Sequence, residues 1–490
     1  MIVNLKNKTI FGTLWNTSRT LLVSIVDFVV YAVLARFLDV QEFALLAFCL
    51  LIVEFANMLT TVGINQNLIQ RKKWEHEYFV SVFTVIFCFS LVVVLILASL
   101  GGTAAFYFYS KNAALVVVAL SSMPFLMALQ SIFSAKLERD FHNKEITIVR
   151  STTAIVCGGL TLIFAFNDFG IWSIVIGKLL QHSFTLLIFW VRSKTAIAFG
   201  VQPDHLDEIK EFCLPLCGMA LLNFFQNKGS NLFVASVLGT EKFAFISISK
   251  KGLDVLSQLT ITSVNKMVVP SLARVKNTDK VRVFYDMLYF SSLIITPCFF
   301  GLGAVSEEFI TVAFGDKYAP SAIYLTIASF AMSGLLMSWY LPNLLISGGY
   351  SSTALKLKAI TFFRVIAISA STVWFGVEIM LFCITASAYI FLPLQFNVAS
   401  EHYNVSLGAV LKVCFPSIVS SVLMVVGIFC IRPFLGDEME KLSALVILVI
   451  SGMIIYASSL ILFFNKSISN AKKILKGLRN SKYSPSATMR

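Results

Sequence analysis

The chain has 490 residues, 57% of them hydrophobic and only 13% charged. A soluble globular protein, with about a quarter of its residues charged, is excluded. The formal charge of +13 raises a nucleic-acid partner as a reading, but the basic residues follow membrane topology and no such partner is expected.

Apolar runs recur from end to end, each about 20 residues long and able to cross about 30 Å of hydrocarbon. A β-barrel would need strands alternating in and out over about ten residues, and no stretch does so. The predicted fold class is therefore an all-α polytopic membrane protein with about fourteen transmembrane helices. They lie near 10–35, 43–65, 78–99, 113–133, 147–166, 170–191, 211–238, 243–269, 284–304, 322–346, 355–374, 376–396, 406–431 and 442–464. The first span is long and lacks a small-residue cleavage pattern, so it does not read as a signal peptide. Lys and Arg gather in alternate loops, among them Arg71, Lys72, Lys73, Lys136, Arg139, Arg192, Lys210, Arg274 and Lys358, and in the tail from Lys466. This bias puts both termini in the cytoplasm and agrees with an even number of spans. The basic tail is expected to lie against anionic lipid.

The stretch from Tyr31 to Lys73 returns two hundred residues later without a gap. Ala35, Leu38, Phe43, Ala44, Leu59, Thr60 and Asn65 meet the identical Ala235, Leu238, Phe243, Ala244, Leu259, Thr260 and Asn265, and Glu54 falls on Asp254. The chain reads as two pseudo-symmetric six-helix lobes of parallel orientation. The N-lobe covers 1–200, with the 192–210 segment as hinge, and the C-lobe covers 201–404. Two additional helices follow at 405–465, then a basic cytoplasmic tail at 466–490.

Charged groups inside a bilayer cost about 2.5–3.5 kcal/mol each on insertion scales, so each needs a reason. In the first span Asn16, Arg19 and Asp27 share a helix face. Either Arg19 faces a water-filled cavity and meets an anion, or Arg19 and Asp27 pair internally. The seventh span carries a polar stripe of Asn223, Asn227 and Ser230/Asn231, flanked by Gln226 and Lys228, with Pro215 and Gly218 loosening the helix below it. Such a stripe reads as a cavity wall between the lobes, the other reading being interhelical hydrogen bonding. In the eighth span Lys250 and Asp254 are one turn apart, beside Lys251. Asp27, Glu54 and Asp254 are candidates for coupling to H+ or Na+, or are structural ion-paired acids. Lys178, Gln181 and His182 in the sixth span and Arg364 in the eleventh complete the interior candidates, and His182 alone reads as structural.

The nine cysteines fall in or at the edges of apolar spans and read as free, buried, structural thiols. Cys213 and Cys217 share a helix face without a further ligand pair, so no metal site is expected. The Gly101–Gly102 and Gly348–Gly349 pairs read as turns. No Walker motif, His-x-x-Glu-His or other catalytic constellation occurs, and no enzyme or cofactor is expected.

Several segments in order carry a resemblance: LARFLDVQEFALLA followed by GINQNLIQRK, then AKLERDFHNKE, SVLGTEKFAFISISKK and FGDKYAPSAIYL. Together they resemble the bacterial polysaccharide (Wzx-type) flippases of the multidrug/oligosaccharidyl-lipid/polysaccharide exporter superfamily, over nearly the whole chain. The family often carries an acid in the seventh span where Ser230 stands here. The resemblance implies a MATE-like fold in the bacterial inner membrane. It also implies movement of an undecaprenyl-diphosphate-linked oligosaccharide to the periplasmic leaflet. The bilayer is a further partner, along with polysaccharide polymerase and chain-length machinery. A diphosphate needs interior cations, for which Arg19, Lys178, Lys228, Lys250 or Lys251 and Arg364 serve, and sugars need polar walls such as Asn16, Asn223, Asn227 and Asn231. The rival readings are a cation/drug antiporter of the same superfamily, a major-facilitator carrier, and a membrane polysaccharide polymerase or ligase. The major-facilitator loop signature is absent after the second span, and a polymerase or ligase would present a large outward loop.

Overall fold

A computed structural model describes residues 22–71, 75–108, 110–262, 279–435 and 439–464. Its regular structure there is helical throughout. In chain order the first part comprises α1 (22–37), α2 (Val40–Thr61), α3 (Ile64–Gln70), α4 (His76–Ile96), α5 (Gly102–Phe108), α6 (Lys111–Ser121), α7 (Met123–Arg139), α8 (Asn143–Phe166), α9 (Trp172–Ser193), α10 (Pro203–Val237) and α11 (Thr240–Ser257). The second part comprises α12 (Lys280–Ala304), α13 (Ser306–Phe314), α14 (Ser321–Trp339), α15 (Leu341–Ser347), α16 (Ser351–Thr372), α17 (Val377–Ile390), α18 (Leu392–Ser400), α19 (Leu407–Ile431) and α20 (Lys441–Phe463).

Among the described residues, 11 helical stretches are long and apolar enough to cross a membrane, and each falls on one of the predicted spans. The chain is a multi-pass membrane protein. The predicted spans without a counterpart in that set are the first, the seventh and the eighth. The first begins outside the described residues. The seventh is α10, a 35-residue helix too polar to qualify. The eighth is α11, which runs into a π-helical turn at Gln258–Thr262 and then leaves the described residues. These three carry most of the candidate site residues, and in the seventh the polar stripe itself is what lowers the hydropathy.

The chain divides into two compact units. One runs up to Ile248 and takes in Ser369–Trp374; the other holds Ser249–Ile368 and the chain from Phe375 onward. The core of the first unit is an aromatic cluster on α4, α7 and α9, with Tyr78, Phe79, Phe83, Phe133 and Phe189 all at most 2% exposed. Phe43 and Ala44, and their repeat counterparts Phe243 and Ala244, are buried too, so these matches belong to packing. The 192–210 segment is fastened to α4: the backbone N–H of Gly200 donates to Thr84 Oγ1 at 3.0 Å, Gln202 Nε2 donates to Glu77 Oε2 at 2.9 Å, and His205 Nδ1 lies 3.0 Å from Ser81 Oγ.

In the second unit α12 packs against α14 and α19, and α19 against α20. Small buried hydroxyls replace large side chains at several of these contacts, as at Ser291 Oγ, 2.8 Å from Tyr340 OH, in keeping with close helix packing in membranes. The last two helices are tied to the unit at one end. Arg432 meets Glu308 through two 2.8 Å contacts, Nε to Oε1 and Nη2 to Oε2, and Lys441 pairs with Asp316.

Two expectations need correction. Gly101–Gly102 is not a turn: helix runs through it as a π-helical stretch, Leu97–Gly101, followed by α5. The glycines let α6 approach, since an added Cβ would lie 3.0 Å from Val117 at Gly101 and 2.9 Å from Val118 at Gly102. Gly348–Gly349 is a turn, with Gly349 at φ +90°. The nine cysteines are free, but only Cys49, Cys157 and Cys414 are buried, while Cys88 and Cys430 are exposed. On a membrane helix an outward thiol meets hydrocarbon, where it behaves as a small apolar group.

Candidate functional site

Within the first unit, acids and bases from mid-span positions form two cross-helix pairs. Nζ of Lys178 on α9 donates to Asp27 Oδ1 on α1 at 2.6 Å and to Gln181 Oε1 at 3.3 Å. Lys228 on α10 meets Glu54 on α2 at 3.1 Å. Beside that pair, the Phe55 ring packs 5.1 Å from Phe224 and 6.0 Å from Phe225, holding α10 to α2. Pairing offsets part of the cost of placing each charge within a membrane span.

Neither pair is sealed. The side chains of Lys178 and Asp27 are 28% and 31% exposed, and those of Lys228 and Glu54 are 30% and 51%. Neither ammonium is enclosed, and charge-assisted bonds to phosphate oxygens are as strong as those to carboxylate, so either lysine is chemically able to exchange its carboxylate for a phosphate. The Arg19–Asp27 pairing lies outside the description, since Asn16 and Arg19 are not among the described residues.

The polar stripe of α10 divides. Asn223 and Asn227 are exposed, whereas Ser230 and Asn231 are 7% and 5% exposed. An exposed stripe over all four, as expected for a wall, is therefore not present, because packing covers Ser230 and Asn231 in the last turns of the helix. Pro215 sits inside α10 without ending it. On α11, Lys250 and Lys251 are half-buried, and Asp254 is exposed, as is its counterpart Glu54.

Arg364 differs from the other cations. It is 8% exposed; Nη1 donates to Ser387 Oγ at 2.7 Å, the guanidinium lies 5.5 Å over the Phe391 ring, and Nε has no partner. No carboxylate lies within 4 Å of it among the described residues. At that burial it cannot touch a bulky ligand in this arrangement, which sets it apart from Lys178 and Lys228.

His182 is structural in its contacts: Gln130 Nε2 donates to its backbone oxygen at 2.6 Å and lies 3.3 Å from its Nδ1. Gln130, Ser387 and Phe391 were not singled out from sequence. The one signal for Gln130 is an amide in an otherwise apolar span.

A family described as polysaccharide biosynthesis protein matches residues 33–323. The lipopolysaccharide biosynthesis protein WzxC of Escherichia coli (strain K12) is 23% identical over 344 residues, 69% of each chain. The solved structure of lipid II flippase MurJ matches with a TM-score of 0.75 at 12% identity, covering 93% of this chain and 100% of that one. A mutant of the Vibrio cholerae MATE transporter VcmN matches with a TM-score of 0.51 at 13% identity, covering 82% of this chain and 99% of that one. These two likenesses show a shared fold.

Proposed function

Because the chain belongs to the polysaccharide biosynthesis protein family, among the Wzx-type flippases, we propose that it carries an undecaprenyl-diphosphate-linked oligosaccharide across the bacterial inner membrane. The cargo moves from the cytoplasmic to the periplasmic leaflet by alternating access of two six-helix lobes within a fourteen-span, MATE-like arrangement. The observation that carries this reading is the pair of mid-span lysines, Lys178 and Lys228, each about a third exposed and held by a carboxylate.

The mechanism is an exchange of partners. With the cavity empty, Asp27 and Glu54 neutralise the two lysines and keep the interior tolerable in hydrocarbon. An entering diphosphate draws the ammonium groups onto its oxygens, joined by Arg19 and by Lys250 or Lys251. The released carboxylates then sit in a low-dielectric setting without their cations, which favours uptake of H+ or Na+. Ion coupling through Asp27, Glu54 or Asp254 follows from this displacement. Asn16, Asn223 and Asn227 offer hydrogen bonds to the sugars, and Arg364 keeps to its own helix contact.

The test is deletion in the native host with surface polysaccharide and lipid-linked oligosaccharide measured together. Loss of surface glycan with short undecaprenyl-linked units accumulating on the cytoplasmic leaflet is the expected result, and the mass of those units identifies the glycan. An unchanged glycan and lipid-linked pool, with raised sensitivity to cationic drugs, overturns it in favour of an antiporter.

A further inference from the structure

A cavity of about 500 Å³ opens in the first unit, lined by Asn67, Gln70, Arg71, Tyr78, Glu208, Glu211 and Phe212. It lies where the end of α3, the start of α4 and the first turns of α10 converge, at the end of the unit whose loops carry the basic bias. None of its residues takes part in the partner exchange above. Its size falls within the about 300–1,000 Å³ of small-molecule sites.

One wall is preorganised. The guanidinium of Arg71 lies 3.5 Å over the Tyr78 ring and bridges Glu208 at 3.1 Å and Glu75 at 3.4 Å. Tyr78 OH donates to Asn67 Oδ1 at 2.7 Å, and Gly63, with φ +79°, lets the α2–α3 turn close onto Cys213 of α10. The locked wall leaves other groups open: the Asn67 amide N–H groups, the Gln70 amide and the Glu211 carboxylate make no hydrogen bond or ion pair among the described residues. Phe212 adds an apolar face.

The lining selects the ligand. Among the described residues of the pocket, the one guanidinium is already engaged by Glu208 and Glu75, while Glu211 adds a second carboxylate, so the lining itself offers a diphosphate or an acidic sugar no free cation. Fixed planar donors and acceptors beside an aromatic face suit a ring that carries vicinal hydroxyls on its rim and C–H bonds on its face. We propose that this cavity is a docking site for an uncharged hexose or N-acetylhexosamine unit, engaged by Asn67, Gln70 and Glu211 and stacked on Phe212. The proposal rests on the reading of the chain as a glycan carrier: the pocket would select among cargoes by their sugars before the diphosphate reaches the lysines.

Full-length protein in nanodiscs, probed by saturation-transfer difference NMR with cellobiose, N,N′-diacetylchitobiose and glucuronic acid, tests it. Transfer to the ring C–H protons of either neutral disaccharide, none to glucuronic acid, and at least a tenfold weaker affinity in both Phe212→Ala and Glu211→Gln at unchanged Tm are expected. Absence of transfer from both disaccharides, equal transfer to glucuronic acid, or unaltered affinity in both variants overturns the pocket. Flipping of a fluorescent lipid-linked glycan in proteoliposomes, run in parallel, judges the carrier reading separately. Wild type that binds disaccharide but flips nothing sinks the carrier and leaves the pocket standing, and the reverse result sinks only the pocket.

Discussion

Asp27 and Lys178 meet at 2.6 Å although 151 residues separate them in the chain. Their contact joins α1 to α9 and leaves both side chains about a third exposed. Asp27→Asn removes the counter-charge and leaves the ammonium in an apolar span. The expected loss is about 1–2 kcal/mol, between the values for surface and buried pairs. A fall in the Tm of purified protein checks it, and the double variant Asp27→Asn/Lys178→Gln is expected to recover most of the loss.

The Glu54–Lys228 pair separates binding from turnover. Glu54→Gln frees the lysine, so affinity for a short-chain polyprenyl diphosphate is expected to rise several-fold while glycan flipping slows. Lys228→Met is expected to lower both, by about tenfold if one charge-assisted bond of about 1.5 kcal/mol is lost. Equilibrium binding and proteoliposome flipping of the two variants check the split.

Arg19→Ala is expected to impair glycan export while leaving protein level intact. Quantitative surface-glycan measurement beside an immunoblot of the membrane fraction checks it, and normal export removes Arg19 from the anion contact.

Arg364 is expected to be dispensable for stability. Replacing a buried, uncompensated guanidinium by an apolar side chain of similar length removes a desolvation cost, so Arg364→Met should hold or raise Tm. Ser387→Ala, which takes away the hydrogen-bond acceptor, should lower Tm, at a cost in stability of about 1–3 kcal/mol. Thermal unfolding of both variants checks the contrast.

Gly63 and Gly218 make an internal control for backbone effects. At Gly63, with φ +79°, an added Cβ would sit 3.1 Å from Cys213 Sγ, so Gly63→Ala is expected to cost about 1–3 kcal/mol. Gly218 lies inside α10 with nothing within 4 Å of that position. Gly218→Ala should therefore be neutral or stabilising by up to about 1 kcal/mol. Tm values measured side by side check the sign of each.

Span positions were legible in the chain because membrane helices announce themselves by apolar length, and eleven of them recur at the predicted places. The partners of the interior charges were not. Helical periodicity relates only residues on one helix, so it gave no sign of the pairs Asp27–Lys178 and Glu54–Lys228, which are made between helices. For the same reason Arg364 read as a cavity cation: sequence places it mid-span but does not tell that Ser387 and Phe391 close over it. The Gly101–Gly102 pair misled in the opposite direction, since two glycines read as a turn when their role is to admit Val117 and Val118.

The helical stretch from His76 to Tyr107 has 32 residues, which at about 1.5 Å per residue is about 48 Å. A bilayer offers about 30 Å of hydrocarbon, so this element must lean steeply or project into the head groups. Phe106 and Tyr107, 55% and 82% exposed, end it with the aromatic pairing that membranes hold at their polar boundary. A membrane of thinner hydrocarbon would cover less of this element and leave more of it among the head groups unless it leaned further.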